Sequence, residues 1–193
     1  MLKAIIETLL FASNRPLSVD KLKEITNEPP EEIVQVIETL NQEYEATERT
    51  FRIHELAHGF QLYTLPAYAS WVSALYKDDH HPKKLTPASL ETLAIIAYNQ
   101  PITKSEIERL RGVDASGPIT TLSERGLIRT AGHAHRLGSP LLYVTAQEFL
   151  RYFGLASLAD LPKRDELQEF LRQADGLLAE GHTDGQTAAA PAD

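Results

Sequence analysis

An internal repeat, helix-period runs that end at capping signals, and two β-rich runs closing each copy predict a mainly α (α+β) chain. Each copy orders three helices before a β-hairpin, the order of a winged helix, which is a helix-turn-helix elaborated by a β wing. The 193 residues therefore read as two tandem winged-helix domains, each three helices plus a wing, followed by a C-terminal tail. The expected bounds are 1–77 for the first domain, 78–86 for a linker, 87–161 for the second domain and 162–193 for the tail.

The repeat carries most of this. Residues 12–25, ASNRPLSVDKLKEI, align with residues 97–110, AYNQPITKSEIERL, sharing Ala, Asn, Pro, then Leu or Ile, then Ser or Thr. Leu10-Phe11 and Ile95-Ile96 keep the same offset of 85, Ile37 to Leu40 answers Ile119 to Leu122 at 82, and Leu62-Tyr63 answers Leu142-Tyr143 at 80.

The first helix of each copy (2–13; 87–98) ends near Asn and Pro, because a residue before Pro is biased away from helix. Ser18 and Thr103 then stand as N-caps for short helices at 19–25 and 104–110. Arg111-Gly112 closes the latter, with Gly112 past its end and Arg111 near its negative pole. Pro29-Pro30 and two Glu open the third helix of copy one, along which Ile33, Val36, Ile37 and Leu40 keep helical spacing. In copy two the third helix runs from about Ala115 to Arg125 and stops at Gly126. The wings are FRIHEL with FQLYT, and LIRTAG with PLLYVT. DDHHPKKL, 78–85, reads as linker. In the tail Leu167, Phe170, Leu171 and Ala174 form one helical stripe, and the last residues have a disordered composition.

With 42% hydrophobic and 24% charged residues the composition is globular, and no stretch reads as a membrane span. Glu7 breaks the apolar N-terminus and no cleavage pattern follows, so no signal peptide is expected and the chain reads as cytoplasmic. Without Cys there is no disulfide, thiolate chemistry or Cys-type zinc site.

One motif points elsewhere. His54-Glu55-Leu56-Ala57-His58 fits H-E-x-x-H of zinc peptidases, which needs a helix to bring both imidazoles to one ion. The repeat places these residues in the first wing, opposite a copy-two segment with Gly132, Gly138 and Pro140, and Gly59 suits its turn. A longer zincin pattern fails at Gln61. The wing therefore reads as solvated, with Glu55 in water. His80-His81 and the pair His133 and His135 lack ligand partners at the right spacing, so no metal ligand is expected. No nucleotide loop or nucleophile elbow occurs, so no catalytic residue and no cofactor is expected.

Charge tests the DNA-reading alternative, a winged-helix transcription regulator. The third helix of copy one, 30–46, carries Glu31, Glu32, Glu38, Glu43 and Glu45 without Lys or Arg, and phosphate repels it. Residues 87–153 hold seven Lys and Arg against six acids, dispersed, with Arg129 and Arg136 flanking the second wing. Any DNA contact is weak or indirect, and an interaction module fits better.

LTPASLETLAIIAYNQPITKSEIERLRGVDASGPITTLSERGLI (85–128) and GSPLLYVTAQEFLRYFGLASLADLP (138–162) resemble the segregation and condensation protein B (ScpB) family, and the likeness runs in order from Leu2 to Pro162. The resemblance implies a nucleoid-associated homodimer that binds the kleisin ScpA, and through it an SMC ATPase, in chromosome condensation and segregation at cell division. It implies dimerisation by the first domain and kleisin binding by the second. Around the first wing, Glu55, Gly59 and Phe60 fit the family pattern while His54 and His58 depart from it. Candidate kleisin anchors are Tyr98, Leu142, Tyr143, Tyr152, Phe153 and Leu155, with Tyr152 and Phe153 favoured because a helix ending at Gly154 leaves aromatics near the surface. Candidate dimerisation residues are Leu2, Ile5, Ile6, Leu9 and Leu10, together with the acidic third helix. All of these apolar positions also satisfy a plain core.

Overall fold

The computed structural model describes residues 1–75, 84–163 and 166. Two compact units divide the chain, Met1–Leu158 and Ala159–Asp193. In the second, the Lys163 amide donates to Glu166 Oε2 at 3.0 Å. The predicted tail stripe and most of the predicted linker fall outside the described residues.

Both winged helices lie in the first unit. The first is built from α1 (Leu2–Ala12), α2 (Val19–Thr26), α3 (Pro30–Ala46), β1 (Phe51–Leu56) and β2 (Gly59–Thr64). A 3-10 turn at Pro66–Tyr68 and the helix α4 (Ala69–Leu75) follow. The second comprises α5 (Pro87–Asn99), β3 (Ile102–Thr103), α6 (Lys104–Arg111), α7 (Ser116–Glu124), β4 (Ile128–His133), β5 (Leu141–Thr145) and α8 (Gln147–Phe153).

The caps follow the sequence. Ser18 Oγ accepts the Lys21 amide at 3.2 Å, and Thr86 Oγ1 accepts the Ser89 amide at 3.2 Å. Glu106 Oε2 accepts from the Thr103 amide and hydroxyl at 2.9 and 2.6 Å. Those bonds and the neighbouring Arg136 hold the Glu106 carboxyl below the usual range. The repeat extends to the backbone itself: Asn27 ends α2 and Gly112 ends α6 in the same left-handed conformation, 85 residues apart.

A copy-one core gathers Ile6, Leu10, Leu22, Ile33, Ile37, Leu40, Tyr44 and Ile53. Each fully buried aliphatic side chain there contributes roughly 1.5–3 kcal/mol. Tyr44 stacks edge-on against Phe51 at 4.9 Å and its hydroxyl donates to Glu7 Oε1 at 2.8 Å. Burial, then that carboxylate, push the phenol well above its ordinary pKa. In copy two, α5 packs on α6, α7 and β5, burying Leu93, Ile96, Ile107, Ile119, Leu122 and Leu127.

The wings share a plan that the sequence showed only in part. β1 and β2 form a two-stranded antiparallel sheet with Ile53 opposite Leu62. Leu17 bridges to Phe60 through both backbone bonds, at 2.9 and 2.8 Å. In copy two the equivalent of Leu17, offset by 85, is Ile102, and there the bridge has grown into β3, giving the order β3-β5-β4. A two-residue strand has too little periodicity to be read from sequence.

Candidate functional site

The H-E-x-x-H residues lie on a hairpin. His54 and Glu55 are exposed on β1, and His58 is exposed in the turn. The His54 ring meets Tyr63 edge-on at 6.1 Å, a diagonal cross-strand contact. Among the described residues no three His, Asp or Glu side chains gather to hold a metal.

The turn differs from expectation. Ala57 and His58 make it, at φ 49° and 60°, a two-residue turn with both central residues left-handed. Gly59 is the first residue of β2, paired with Leu56. It is needed for space: a Cβ there would stand 2.8 Å from both the carbonyl carbon and oxygen of Leu17. The bridge between Leu17 and Phe60 brings that backbone in.

Nor is the wing tip surrounded by water. Ala57 is 1% exposed, because the turn docks on the segment after α8. The Ala57 amide donates to the Leu155 carbonyl at 2.9 Å and the His58 amide to the Ala156 carbonyl at 2.8 Å. Gln147 Nε2 donates to the Ala57 carbonyl at 2.9 Å. Among the described residues, the Leu155, Ala156 and Gln147 bonds thus join this wing to the second winged helix. Beside this junction His54, Tyr63, Leu65, Arg151 and Gly154 help line an open cleft of about 330 Å³. Arg151 Nη1 donates to Glu148 Oε2 at 2.9 Å, while its buried Nε has no hydrogen-bond partner among the described residues.

The candidate kleisin anchors fall into two groups. Tyr152 and Phe153 end α8, 48% and 45% exposed, with ring centroids 5.1 Å apart and Phe153 stacked on buried Phe149 at 5.0 Å. Gly154 follows at φ 69°, closing the helix as its sequence position suggests. Leu155 is half-buried and its carbonyl is committed to the wing. Tyr98, Leu142 and Tyr143 are half-buried, the last two on β5 opposite Thr103 and Ile102.

The α1 candidates separate by face. Ile6 and Leu10, at 0% and 1% exposure, point into the core of their own winged helix and offer nothing to a partner. Leu2 and Leu9 are half-buried against that core. Ile5 and Leu9 line an apolar groove of about 380 Å³ with Met1, Ala4 and Thr8, and Phe11 at the helix end is 83% exposed.

Other features were missed or only partly read from the sequence. On α4, Trp71 and Leu75 are each 76% exposed. Asn41 completes the outer edge of β1: its Nδ2 donates to the Ile53 carbonyl and its Oδ1 accepts the Ile53 amide, both at 2.8 Å. The Arg111 side chain, 5% exposed, binds Glu91 Oε2 at 3.1 Å and the Asp114 carbonyl at 2.9 Å. Hydrogen bonds from the Ser116 hydroxyl and amide hold the Asp114 carboxyl below its ordinary pKa. The signals existed for Arg111 at a helix end and for Asn41 on a helix flank, but Glu91 and Ile53, their respective partners, lie 20 and 12 residues away.

Comparison with known proteins is consistent along the chain. The family model described as Segregation and condensation complex subunit ScpB matches residues 4–164. A segregation and condensation protein B of Syntrophotalea carbinolica is 43% identical over 177 residues, covering 92% of this chain and 89% of the relative. A crystal structure of ScpB from Mycobacterium tuberculosis is 30% identical, covers 80% of this chain and 95% of its own, and has a TM-score of 0.38. A crystal structure of a dimer of ScpB N-terminal domain complexed with ScpA peptide is 34% identical, covers 38% of this chain and 91% of its own, and has a TM-score of 0.36.

Proposed function

The chain belongs to the ScpB family of segregation and condensation complex subunits, and from that membership we propose that it is a non-enzymatic, homodimeric subunit that binds the kleisin ScpA. Through the kleisin it reaches an SMC ATPase at the nucleoid. The observation that carries this reading is the family match, which spans both winged helices from residue 4 to residue 164.

Two separated apolar surfaces supply a physical basis. On the first domain, residues 1–77, the exposed side of α1 around Leu2, Ile5 and Leu9 suits self-association, since its opposite side already fills the core. On the second, residues 87–161, Tyr152 and Phe153 present aromatic surface at a helix end, with Tyr98, Leu142 and Tyr143 half-buried. Aromatic anchors of this kind dominate protein interfaces when a partner desolvates them. The acidic α3 disfavours operator reading and leaves DNA contact weak or indirect.

Co-purification of the tagged chain from its native cell tests the proposal. A kleisin and an SMC protein are expected to accompany it, and a double substitution Tyr152→Ala with Phe153→Ala to lose them while the dimer persists in sedimentation. Recovery of the chain without either protein overturns the assembly. Retention by the double variant moves the kleisin contact away from α8.

A further inference from the structure

In a DNA-reading winged helix the third helix offers its outer face to the major groove. Here that face borders a groove of about 460 Å³ between α2 and α3, lined by Val19, Pro30, Glu31, Val34, Gln35 and Glu38. Val19, Pro30 and Val34 are half-buried and form an apolar floor, while Glu31, Gln35 and Glu38 are exposed. Positions 31, 34, 35 and 38 fall at i, i+3, i+4 and i+7, one stripe of α3. Its two carboxylates therefore stand about 10 Å apart along the helix, with Val34 between them. Neither Glu31 nor Glu38 has an ion-pair or hydrogen-bond partner for its carboxylate among the described residues.

We propose that this groove is a docking site for a basic amphipathic helix of a protein partner, which seats an apolar side chain on Val34 and sets Lys or Arg against Glu31 and Glu38. The charge pattern selects this occupant. Duplex DNA is repelled. A second copy packing this face on itself, the self-association that the sequence suggested for the acidic third helix, brings Glu against Glu, because a two-fold interface pairs the same patch with itself. The chain's own segment 165–180, DELQEFLRQADGLLAE, carries five acids against one Arg and has the wrong sign. A groove between two helices suits a helical ligand whose apolar face fills it, with charge at the rim setting specificity and encounter rate.

The site stands apart from the kleisin surface proposed on the second domain. Failure to recover a kleisin sinks that assembly and leaves this groove untouched.

The full chain is titrated with a synthetic Leu/Lys amphipathic helix of roughly fourteen residues, a scrambled peptide of equal composition and a Leu/Glu version. Amide resonances of Val19 and of residues 31–38 are expected to shift with the Leu/Lys helix alone. Affinity is expected to fall about tenfold or more in Glu31→Lys with Glu38→Lys, and also in Val34→Asp, with the circular dichroism of both variants unchanged. Equal binding of the scrambled peptide, or shifts centred on another surface, overturns the proposal.

A photo-crosslinking residue at Gln35, in the chain expressed in its native cell, identifies the natural occupant by sequencing the adduct. A segment of a protein other than the kleisin, with Lys or Arg flanking an apolar stripe, supports the proposal, and a kleisin adduct overturns it. An adduct with a second copy, an acidic segment or nucleic acid refutes it. The same probe at Thr120, the repeat counterpart of Glu38, is the internal control and is expected to give no such adduct.

Discussion

Ala57 donates its amide proton to the carbonyl of Leu155 at 2.9 Å, across 98 residues of chain. Both groups are main-chain, so the contact is independent of side-chain identity at either position. Its geometry depends on the left-handed turn at Ala57 and His58 and on the helix end at Gly154. Each repeat thus contributes one turn to the joint between them.

Gln147→Ala removes the third bond of that joint, to the Ala57 carbonyl. Hydrogen exchange at the Ala57 and His58 amides is expected to quicken by about fivefold, in line with a net loss of about 1 kcal/mol. The Ile53 amide, held within its own winged helix by Asn41, is expected to keep its wild-type rate.

Opposite outcomes are expected at two neighbouring positions. Gly59→Ala drives a methyl against Leu17 backbone that a side-chain rotation cannot relieve, and should destabilise by about 1–3 kcal/mol. His58→Gly relaxes an exposed left-handed residue and should stabilise by about 0.5–1 kcal/mol. Urea midpoints of the two variants, on either side of wild type, check both.

Asn41 presents both ends of its amide to Ile53. Asn41→Ala leaves a partly buried donor and acceptor unpaired at the edge of β1, and about 1–3 kcal/mol should be lost. Faster exchange of the Ile53 amide and a lower thermal midpoint are the readouts.

Tyr44 gives an alkaline signature. Its phenol is raised in the folded chain above the unfolded value of about 10. The folded state therefore holds the proton more tightly, and its contribution is complete below pH of about 10. Above that the unfolded chain ionises first, and stability falls as pH rises toward the folded value. Tyr44→Phe should flatten this part of the denaturation profile relative to wild type, besides losing the bond to Glu7.

Much of the architecture was legible because it occurs twice. Ser18 and Thr103 are recognisable alone, but their common offset made them one plan, which the left-handed ends at Asn27 and Gly112 then extended. The same logic placed His54 and His58 on a wing against a complete match to a helical zinc motif. What escaped was whatever depended on distant backbone. Gly59 reads as a turn residue until Leu17 is beside it, and Ala57-His58 lacks the Asn-Gly signal of a tight hairpin. On α1, five aliphatic candidates look alike in sequence. Only packing against α3 separates buried Ile6 and Leu10 from Ile5.

The first wing's tip is occupied by the second winged helix, whereas the second wing ends in the fully exposed Leu137. A duplicated unit would otherwise present the same face twice. Because one copy is spent as a brace, the tandem has a front and a back, and a partner approaching it meets direction where the repeat alone promised symmetry.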